Sequence, residues 1–157
     1  MKTEHIPFDE IQELTEIYKQ KTFEELSLIK PRWAIGKHIK ELRDFELNPI
    51  NNSYSFYSVL PREIIANAEF LEVETDTLFN GLSNNDFRIT RLLHRWENGY
   101  FVDPPSISLS ESKRILRFCD GRHRTKLSYL LMFETMPIAV INQDVDEIKN
   151  LIKLASI

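Results

Sequence analysis

The chain has few of three features that small proteins often rely on: cysteine, glycine and long apolar runs. The single cysteine, Cys119, excludes an internal disulfide. No apolar run approaches the ~20 residues that span a bilayer, and the N-terminus lacks the layout of a secretory signal. We therefore expect a cytoplasmic protein that makes no membrane contact. A zinc scaffold is not expected either, because without further cysteines it would need the scattered His5, His38, His94 and His123.

The composition is that of a protein with its own core. Apolar residues make up 42% of the 157 residues and aromatic residues 11%, which is enough for one compact domain. The net charge is −4, so the surface as a whole repels nucleic acid. Binding of nucleic acid is therefore disfavoured unless a local basic patch provides it.

The first third of the chain has a helical pattern. Apolar residues recur at steps of three and four from Phe8 to Tyr18, with Asp9 placed to cap the helix. Thr22 and Glu25 have the spacing of a capping box, and a weaker helical pattern follows Pro31. We place a boundary near residue 61, which gives an N-terminal helical subdomain or extension over 1–65 and a second domain over 66–157.

The second half alternates predicted strands and helices. A helix over about 85–98 is expected to be capped by Ser83 or Asn84 and stopped by Gly99. The segment over 114–141 has the strand–helix–strand proportions of a βαβ crossover. The other predicted elements are strands over 70–79 and 106–110 and a helix carrying Val145, Ile148, Leu151 and Ile152. The pattern predicts the α+β class.

Positive charge is concentrated in one short segment of this acidic chain. Between residues 113 and 126 the one acid is Asp120, and His123 adds a further nitrogen donor. Such a concentration implies an anionic ligand. The six cationic residues are Lys113, Arg114, Arg117, Arg122, Arg124 and Lys126.

The segment 120–124 is predicted to be a strand-to-helix turn. Unpaired N–H groups and the helix dipole favour an anion at such a helix start, and Gly121 permits close approach or positive φ. Arg122 or Arg124 can bind phosphate oxygens in a bidentate manner. His123 can donate a hydrogen bond or exchange a proton near neutral pH. Asp120 can either cap the helix or hold a magnesium ion. We expect Cys119, before the turn, to be a buried strand residue.

The sequence around this turn resembles the ParB/sulfiredoxin superfamily. The residues that carry the resemblance are Cys119-Asp120-Gly121-Arg122-His123-Arg124, a helix through 127–131, and Pro137-Ile138-Ala139-Val140. In that family a Gly-x-His-Arg or Gly-Glu-Arg-Arg turn precedes a helix and an "x-Ile-Pro-Val-x-Val" strand. The lead-in from Trp96-Glu97-Asn98-Gly99 to Pro104-Pro105 is also similar. The resemblance covers about residues 70–157.

This resemblance implies a small mixed sheet with packed helices, preceded by the N-terminal helical segment. It also implies a site for ATP or CTP with Mg²⁺ at the turn. Sulfiredoxin chemistry is not expected, because Arg122 stands where that family places its cysteine. A helix-turn-helix region like that of partition proteins is not expected after Ile157. The implied phosphate-binding residues are Gly121, Arg122, His123, Arg124, Thr125 and Lys126, with Asp120 as metal ligand.

The leading functional prediction is a nucleotide-binding protein, in the form of a nucleoside-triphosphatase or phosphotransferase. Its catalytic residues would be His123, Asp120 and Glu72, with Glu74, Asp76 and Asp103 as other candidate bases. One alternative is a non-enzymatic regulator, for instance encoded by a mobile element, that binds a protein partner through the N-terminal helices. Another is a DNA-binding or nuclease module that adds the helical stripe Arg88, Arg91 and Arg95 to the turn.

Overall fold

The computed structural model describes residues 6–157, and His5 lies outside this range. Helices and strands are interspersed along the chain around one mixed sheet, which confirms the predicted α+β class. Short 3-10 turns lie at Gly36–Glu41, Phe45–Leu47, Pro49–Asn51 and Asn142–Asp144. The other elements are α1 (Phe8–Lys19), α2 (Phe23–Leu26), β1 (Tyr54–Val59), α3 (Pro61–Asn67), β2 (Ala68–Glu69), α4 (Ser83–Glu97), β3 (Ser106–Leu109), β4 (Leu116–Asp120), α5 (Arg122–Leu130), β5 (Met136–Ile141) and α6 (Val145–Ile148).

The five strands form one mixed sheet in the order β1-β5-β3-β4-β2. β5 lies between β1 and β3, and its residues 136–140 are all buried. This explains why the sequence of β5 is a continuous apolar run. β1 pairs antiparallel with β5, and β2 pairs parallel with β4. The predicted mixed sheet with packed helices is confirmed, whereas the specific ParB/sulfiredoxin fold stays a prediction.

The predicted βαβ crossover over 114–141 is wrong. β3 lies between β4 and β5, antiparallel to the first and parallel to the second, so β4 and β5 run in opposite directions. The reversal happens in the tight connection from β3 to β4, where the Ser110 N–H donates to the Ile115 carbonyl at 3.0 Å. The helix α5 then returns the chain to the far side of β3.

The predicted strand over 70–79 is also wrong, because β2 ends at Glu69. Leu71 has a φ of +51°, and the Val73 N–H donates to the Phe70 carbonyl at 2.9 Å. A positive φ at a non-glycine residue is incompatible with a strand. Phe70 stays buried by packing edge-on against Phe118, with ring centroids 5.0 Å apart. The chain therefore turns here and forms a loop up to α4.

Of the predicted N-terminal caps of α1, α2 and α4, only that of α2 is confirmed. Asp9 lies inside the first turn of α1, whose cap position is Pro7. Leu82 is at the cap position of α4, so neither Ser83 nor Asn84 caps it. Instead, the Asp86 carboxylate accepts from the backbone N–H groups of residues 80 and 81 at 2.9 and 3.1 Å. The capping box of Thr22 and Glu25 is present.

The core joins the N-terminal helices to the rest of the chain. Tyr18 of α1 and Leu26 of α2 are buried in one cluster with residues of α4 and α5. A second cluster fills the space between the sheet and α3 and α6, and its members include Ile64, Ile138 and Ile148. The boundary near residue 61 stays a prediction, with these contacts crossing it. Within residues 6–157, no helix is long and apolar enough to cross a membrane.

Candidate functional site

The turn after β4 opens into a cleft of about 1730 Å³. Residues of α4, of the loop after β2 and of β4 line the same cleft, so the basic turn and the arginine stripe of α4 share one space. Four acidic residues also line it. The cationic side chains are Arg43, Arg88, Arg91, Arg95, Arg117, Arg122 and Arg124, and the acidic ones are Glu69, Glu72, Glu111 and Asp120.

Gly121 gives the turn its geometry. It occupies the cap position of α5 with φ +106° and ψ 22°, between the end of β4 and the first helical residue, Arg122. A Cβ at this position would lie 2.6 Å from the Cβ of Pro105 and 2.7 Å from its Cα. The first helical bond runs from the Thr125 N–H to the Gly121 carbonyl at 3.0 Å. Glycine therefore permits both the backbone angle and the close contact.

The start of α5 has backbone donors for an anion. Because Gly121 has no side chain, no side-chain cap is present, and the predicted capping role of Asp120 is wrong. The N–H groups of residues 122–124 have no acceptor inside the helix. They add to the positive end of the helix dipole, which favours a negative charge at this place.

The Arg124 side chain is engaged in contacts within the protein. Its Nη1 donates to the carbonyl of Asp103 at 2.8 Å and to that of Pro104 at 3.3 Å. Its Nη2 lies 2.6 Å from the Oδ2 of Asp120, whose side chain is 69% exposed. Arg124 thus ties both sides of the turn to the segment that precedes β3.

Arg124→Ala is expected to lower the free energy of unfolding by about 1–2 kcal/mol, because two carbonyls lose a charged donor. Asp120→Asn removes only the exposed ion pair and is expected to cost less than ~1 kcal/mol. Urea denaturation of both variants measures the difference. The exposed Arg62 of α3 provides a matched control as Arg62→Ala. A loss for Arg124→Ala no larger than that of the control contradicts this role.

His123 is an uncharged group in the free protein at neutral pH. Its pKa is lowered from 6.5 to about 4, first by burial and then by the positive charges of Arg88, Lys126, Arg122 and Arg124. The sequence-based expectation of proton exchange near neutral pH does not hold for the free protein. A neutral imidazole still offers one donor and one acceptor to a ligand.

Thr125 and Lys126 lie behind the turn and are fully buried. The Thr125 hydroxyl donates to the Gly121 carbonyl at 3.0 Å. The Lys126 Nζ donates to the Oδ1 of Asn85 on α4 at 2.6 Å, and burial lowers the pKa of this lysine. Both residues hold α5 in place, and neither lines the cleft.

The candidate bases fall into different environments. Glu72 lines the cleft together with Asp120. Glu74 and Asp76 lie in the loop after β2, where their charges act on buried Lys126. The Asp103 carboxylate accepts from the backbone N–H groups of residues 43 and 44, both at 2.9 Å. Within residues 6–157, no group of three or more His, Cys, Asp or Glu is arranged to hold a metal ion. Asp120, the predicted metal ligand, lines the cleft.

The arginine stripe of α4 divides into two environments. Arg88 and Arg91 are exposed, and the Arg88 Nε donates to the Oδ1 of Asn84 at 3.1 Å. Arg95 is buried, although it borders the cleft, and its Nη2 donates to the Phe101 carbonyl at 2.7 Å. The first two arginines are thus the ones that present charge to a ligand.

Cys119 is exposed, so the prediction of a buried strand residue is wrong. Leu116 and Phe118 occupy the inner face of β4, and alternation places Cys119 with exposed Arg117. The Tyr54 hydroxyl donates to the Cys119 Sγ at 3.7 Å. Burial, followed by this contact, raises the pKa of Tyr54 to about 12. The alternation of β4 could have predicted this exposure, because Cys119 is three residues after buried Leu116 and therefore lies on the opposite face of the strand.

Sequence reasoning also missed part of the cleft lining. Arg43 comes from the N-terminal region, and Arg117 lies on β4 before the turn. Phe118 and Leu71 add apolar surface.

Comparisons with models of protein families, with curated proteins and with solved structures find no match for the chain. The resemblance to the ParB/sulfiredoxin superfamily therefore rests on the residues of the turn, its lead-in and the strand that follows.

Proposed function

We propose that this protein binds a nucleotide, with its phosphates at the turn between β4 and α5. The observation that carries the proposal is the meeting of an uncapped helix start with a cleft lined by seven arginines. In a chain of net charge −4, such a local excess of positive charge favours a multiply charged anion. Phosphate groups match both the N–H donors and the guanidinium groups.

The contacts favour different roles for the predicted phosphate-binding residues. Arg122 is half-exposed at the first position of α5 and is the candidate for bidentate contact with phosphate. Neutral His123 donates one hydrogen bond. Arg124 positions the turn through its bonds to Asp103 and Pro104. Thr125 and Lys126 support the turn from inside.

We further propose that the protein has a ParB/sulfiredoxin-like fold and is a cytoplasmic nucleoside-triphosphatase or phosphotransferase that uses ATP or CTP with Mg²⁺. The placement of Glu72 and Asp120 in the same cleft supports the catalytic part. Glu72 would act as base toward water or an acceptor hydroxyl, while Asp120 would share the metal ion with the phosphates. His123 would contact the transferred group.

A thermal-shift titration with ATP, ADP, CTP and GTP, each with and without Mg²⁺, tests the binding. A nucleotide that binds only the folded state must raise the melting temperature. Arg122→Ala is expected to weaken binding about tenfold, as the loss of one charge-assisted contact predicts. Arg114→Ala is the control, because this exposed arginine lies in the β3–β4 connection outside the cleft.

No shift with any nucleotide at millimolar concentration would sink the proposal. Equal binding by Arg122→Ala and wild type would move the phosphates away from the turn. Release of inorganic phosphate from the bound nucleotide tests the enzymatic part separately. Binding without release, in the presence of Mg²⁺ and candidate acceptors, would leave a nucleotide-binding protein.

A second candidate function is protein binding through the N-terminal helices. Large apolar side chains are exposed on and next to α1 and α2: Phe8 by 63%, Ile17 by 52%, Phe23 by 54% and Leu28 by 78%. Exposed apolar surface of this kind marks an interaction site when it is contiguous. This reading of a non-enzymatic regulator replaces the first if nucleotides fail to bind.

A further inference from the structure

The wall of the cleft formed by α4 continues the positive charge beyond the turn. Arg88 and Arg91 are exposed, one helical turn apart, and line the same cleft as Arg122. Arg88 is close enough to His123 to lower the pKa of that imidazole. Within residues 6–157, neither Arg88 nor Arg91 forms an ion pair with a carboxylate. Their charges are therefore available to a phosphate next to the one at the turn.

We infer that the cleft binds a single strand of nucleic acid, with one backbone phosphate at the α5 turn and the next on Arg88 and Arg91. This inference rests on the proposed phosphate site and names a longer ligand for it. A nucleoside monophosphate has one phosphate and cannot fill both positions. A strand extends along both walls, because its phosphates repeat at each residue.

Apolar side chains in the cleft favour a ligand that carries bases as well as phosphates. Phe118 is half-buried and lines the cleft beside the basic turn. Leu71 lines it too, with 74% of its surface exposed and a φ of +51°. This backbone conformation costs stability at a bulky residue, and it holds an exposed apolar side chain at the cleft. Bases pack on apolar and aromatic surfaces regardless of sequence, whereas inorganic polyphosphate has nothing to place there.

The dimensions and shape of the cleft favour a strand over both a mononucleotide and a duplex. Its volume of about 1730 Å³ exceeds the roughly 300–1,000 Å³ typical of small-ligand pockets. Proteins that read duplex DNA insert a protruding helix or ribbon into a groove, but this charge lies inside a concavity. Three of the four acidic residues that line the cleft, Glu69, Glu72 and Glu111, lie outside α4 and the turn and disfavour phosphates near them, whereas Asp120 at the turn is paired with Arg124. The backbone of the strand is thereby confined to the wall formed by α4 and the turn.

Competition measurements on the full chain test this inference. A fluorescent thymidine octanucleotide reports binding by anisotropy, and unlabelled thymidine monophosphate, tetranucleotide, octanucleotide, 20-base-pair duplex and inorganic polyphosphate act as competitors. We expect the octanucleotide to compete at least about tenfold more strongly than the monophosphate, because it engages both phosphate positions. An RNA octanucleotide distinguishes RNA from DNA as the natural strand.

The double variant Arg88→Ala/Arg91→Ala is expected to bind the octanucleotide no better than the monophosphate. Its slope of log affinity against log salt is expected to be shallower by about 0.7 for the lost phosphate contact. Arg62→Ala on α3 is the matched control and keeps the wild-type length dependence. Leu71→Asn, which suits a positive φ, is expected to weaken the octanucleotide but not polyphosphate, without lowering the melting temperature.

The outcomes separate this inference from the proposed function. If the octanucleotide competes no better than the monophosphate while nucleotides still bind through Arg122, the strand inference is overturned and the nucleotide site stands. If neither mononucleotides nor oligonucleotides bind, both fail. Equal competition by duplex or polyphosphate overturns the assignment to a single strand. An unchanged length dependence in the Arg88→Ala/Arg91→Ala variant overturns the second phosphate position.

Discussion

Replacing Gly121 with alanine is expected to lower the free energy of unfolding by about 2–6 kcal/mol. The backbone angle of +106° accounts for about 1–3 kcal/mol of this loss, because it lies in a region that residues with a Cβ rarely adopt. Overpacking adds about 1–3 kcal/mol, since the new methyl group would lie 2.6 Å from the Cβ of Pro105. Pro105 cannot withdraw easily, because its own carbonyl accepts from the Ala139 N–H of β5 at 2.8 Å.

Gly99→Ala separates the two causes. Gly99 also has a positive φ, +78°, but a Cβ there would have nothing within 4 Å. Its loss is therefore expected to be about 1–2 kcal/mol, from the backbone alone. Urea denaturation of both variants, compared at equal slope, measures the difference. Equal losses would mean that the segment at Pro105 yields to the methyl group, and the tight contact would not contribute to stability.

The geometry of the turn could be predicted from the sequence because its causes are local. A strand that ends at Asp120, a glycine and an amphipathic pattern after residue 122 define a strand, a left-handed residue and a helix start. Each of these features depends on neighbours within a few residues. The same local reasoning placed α1, α4 and the capping box of α2.

The roles of single side chains in the site depended on contacts between distant segments. Arg124 bonds to carbonyls 20 and 21 residues away in the sequence, and Lys126 reaches Asn85, 41 residues away. From composition alone, both cations are expected at the surface, where they could bind a ligand, since lysine and arginine are seldom buried. Because of the packing of α5 against α4, Arg124 bonds to the carbonyls before β3 and Lys126 is buried against Asn85.

The shared cleft has the same non-local origin. The spacing of Arg88 and Arg91 predicts a charged stripe on a helix, which is most often only a solvated face. Burial of Ile89 and Leu93 of α4 in one cluster with Leu127 of α5 turns the stripe toward the basic turn. The lost strand over 70–79 is a related case. The segment has the alternating pattern of a strand, but the chain reverses at Leu71, so β2 has only two residues.

His123→Gln is expected to make folding stability less sensitive to acid. The pKa of this histidine is about 4 in the folded chain and 6.5 as the reference for the unfolded one. Between these values the unfolded chain binds a proton that the folded chain does not, so stability falls as pH decreases from 6.5 towards 4. Above 6.5 the group is neutral in both states and has no such effect. The wild type is expected to lose about 2 kcal/mol of folding free energy from this source. This is less than the full pKa difference would give, because solvent screens the partly exposed ring.

Urea denaturation at pH 7 and pH 4.5 measures this loss in the wild type and in His123→Gln. The carboxylates titrate in both proteins, so the difference between the two pH dependences isolates His123. His38→Gln, which changes a histidine that packs on Phe101 outside the cleft, is the control. Identical acid sensitivity in wild type and His123→Gln would show that burial and the neighbouring cations do not disfavour the imidazolium.

The same balance of charge gives a prediction for the ligand. A phosphate at the turn offsets the positive charges of Arg88 and Arg122 that help to depress the pKa of His123, so binding should raise that pKa and promote proton uptake. Wild-type affinity for a nucleotide should then increase more steeply between pH 7 and pH 5 than that of His123→Gln. The secondary ionisation of the phosphate, with a pKa of about 6, affects both proteins alike. Parallel pH profiles would place the bound phosphate out of reach of His123, even if Arg122 is required for binding.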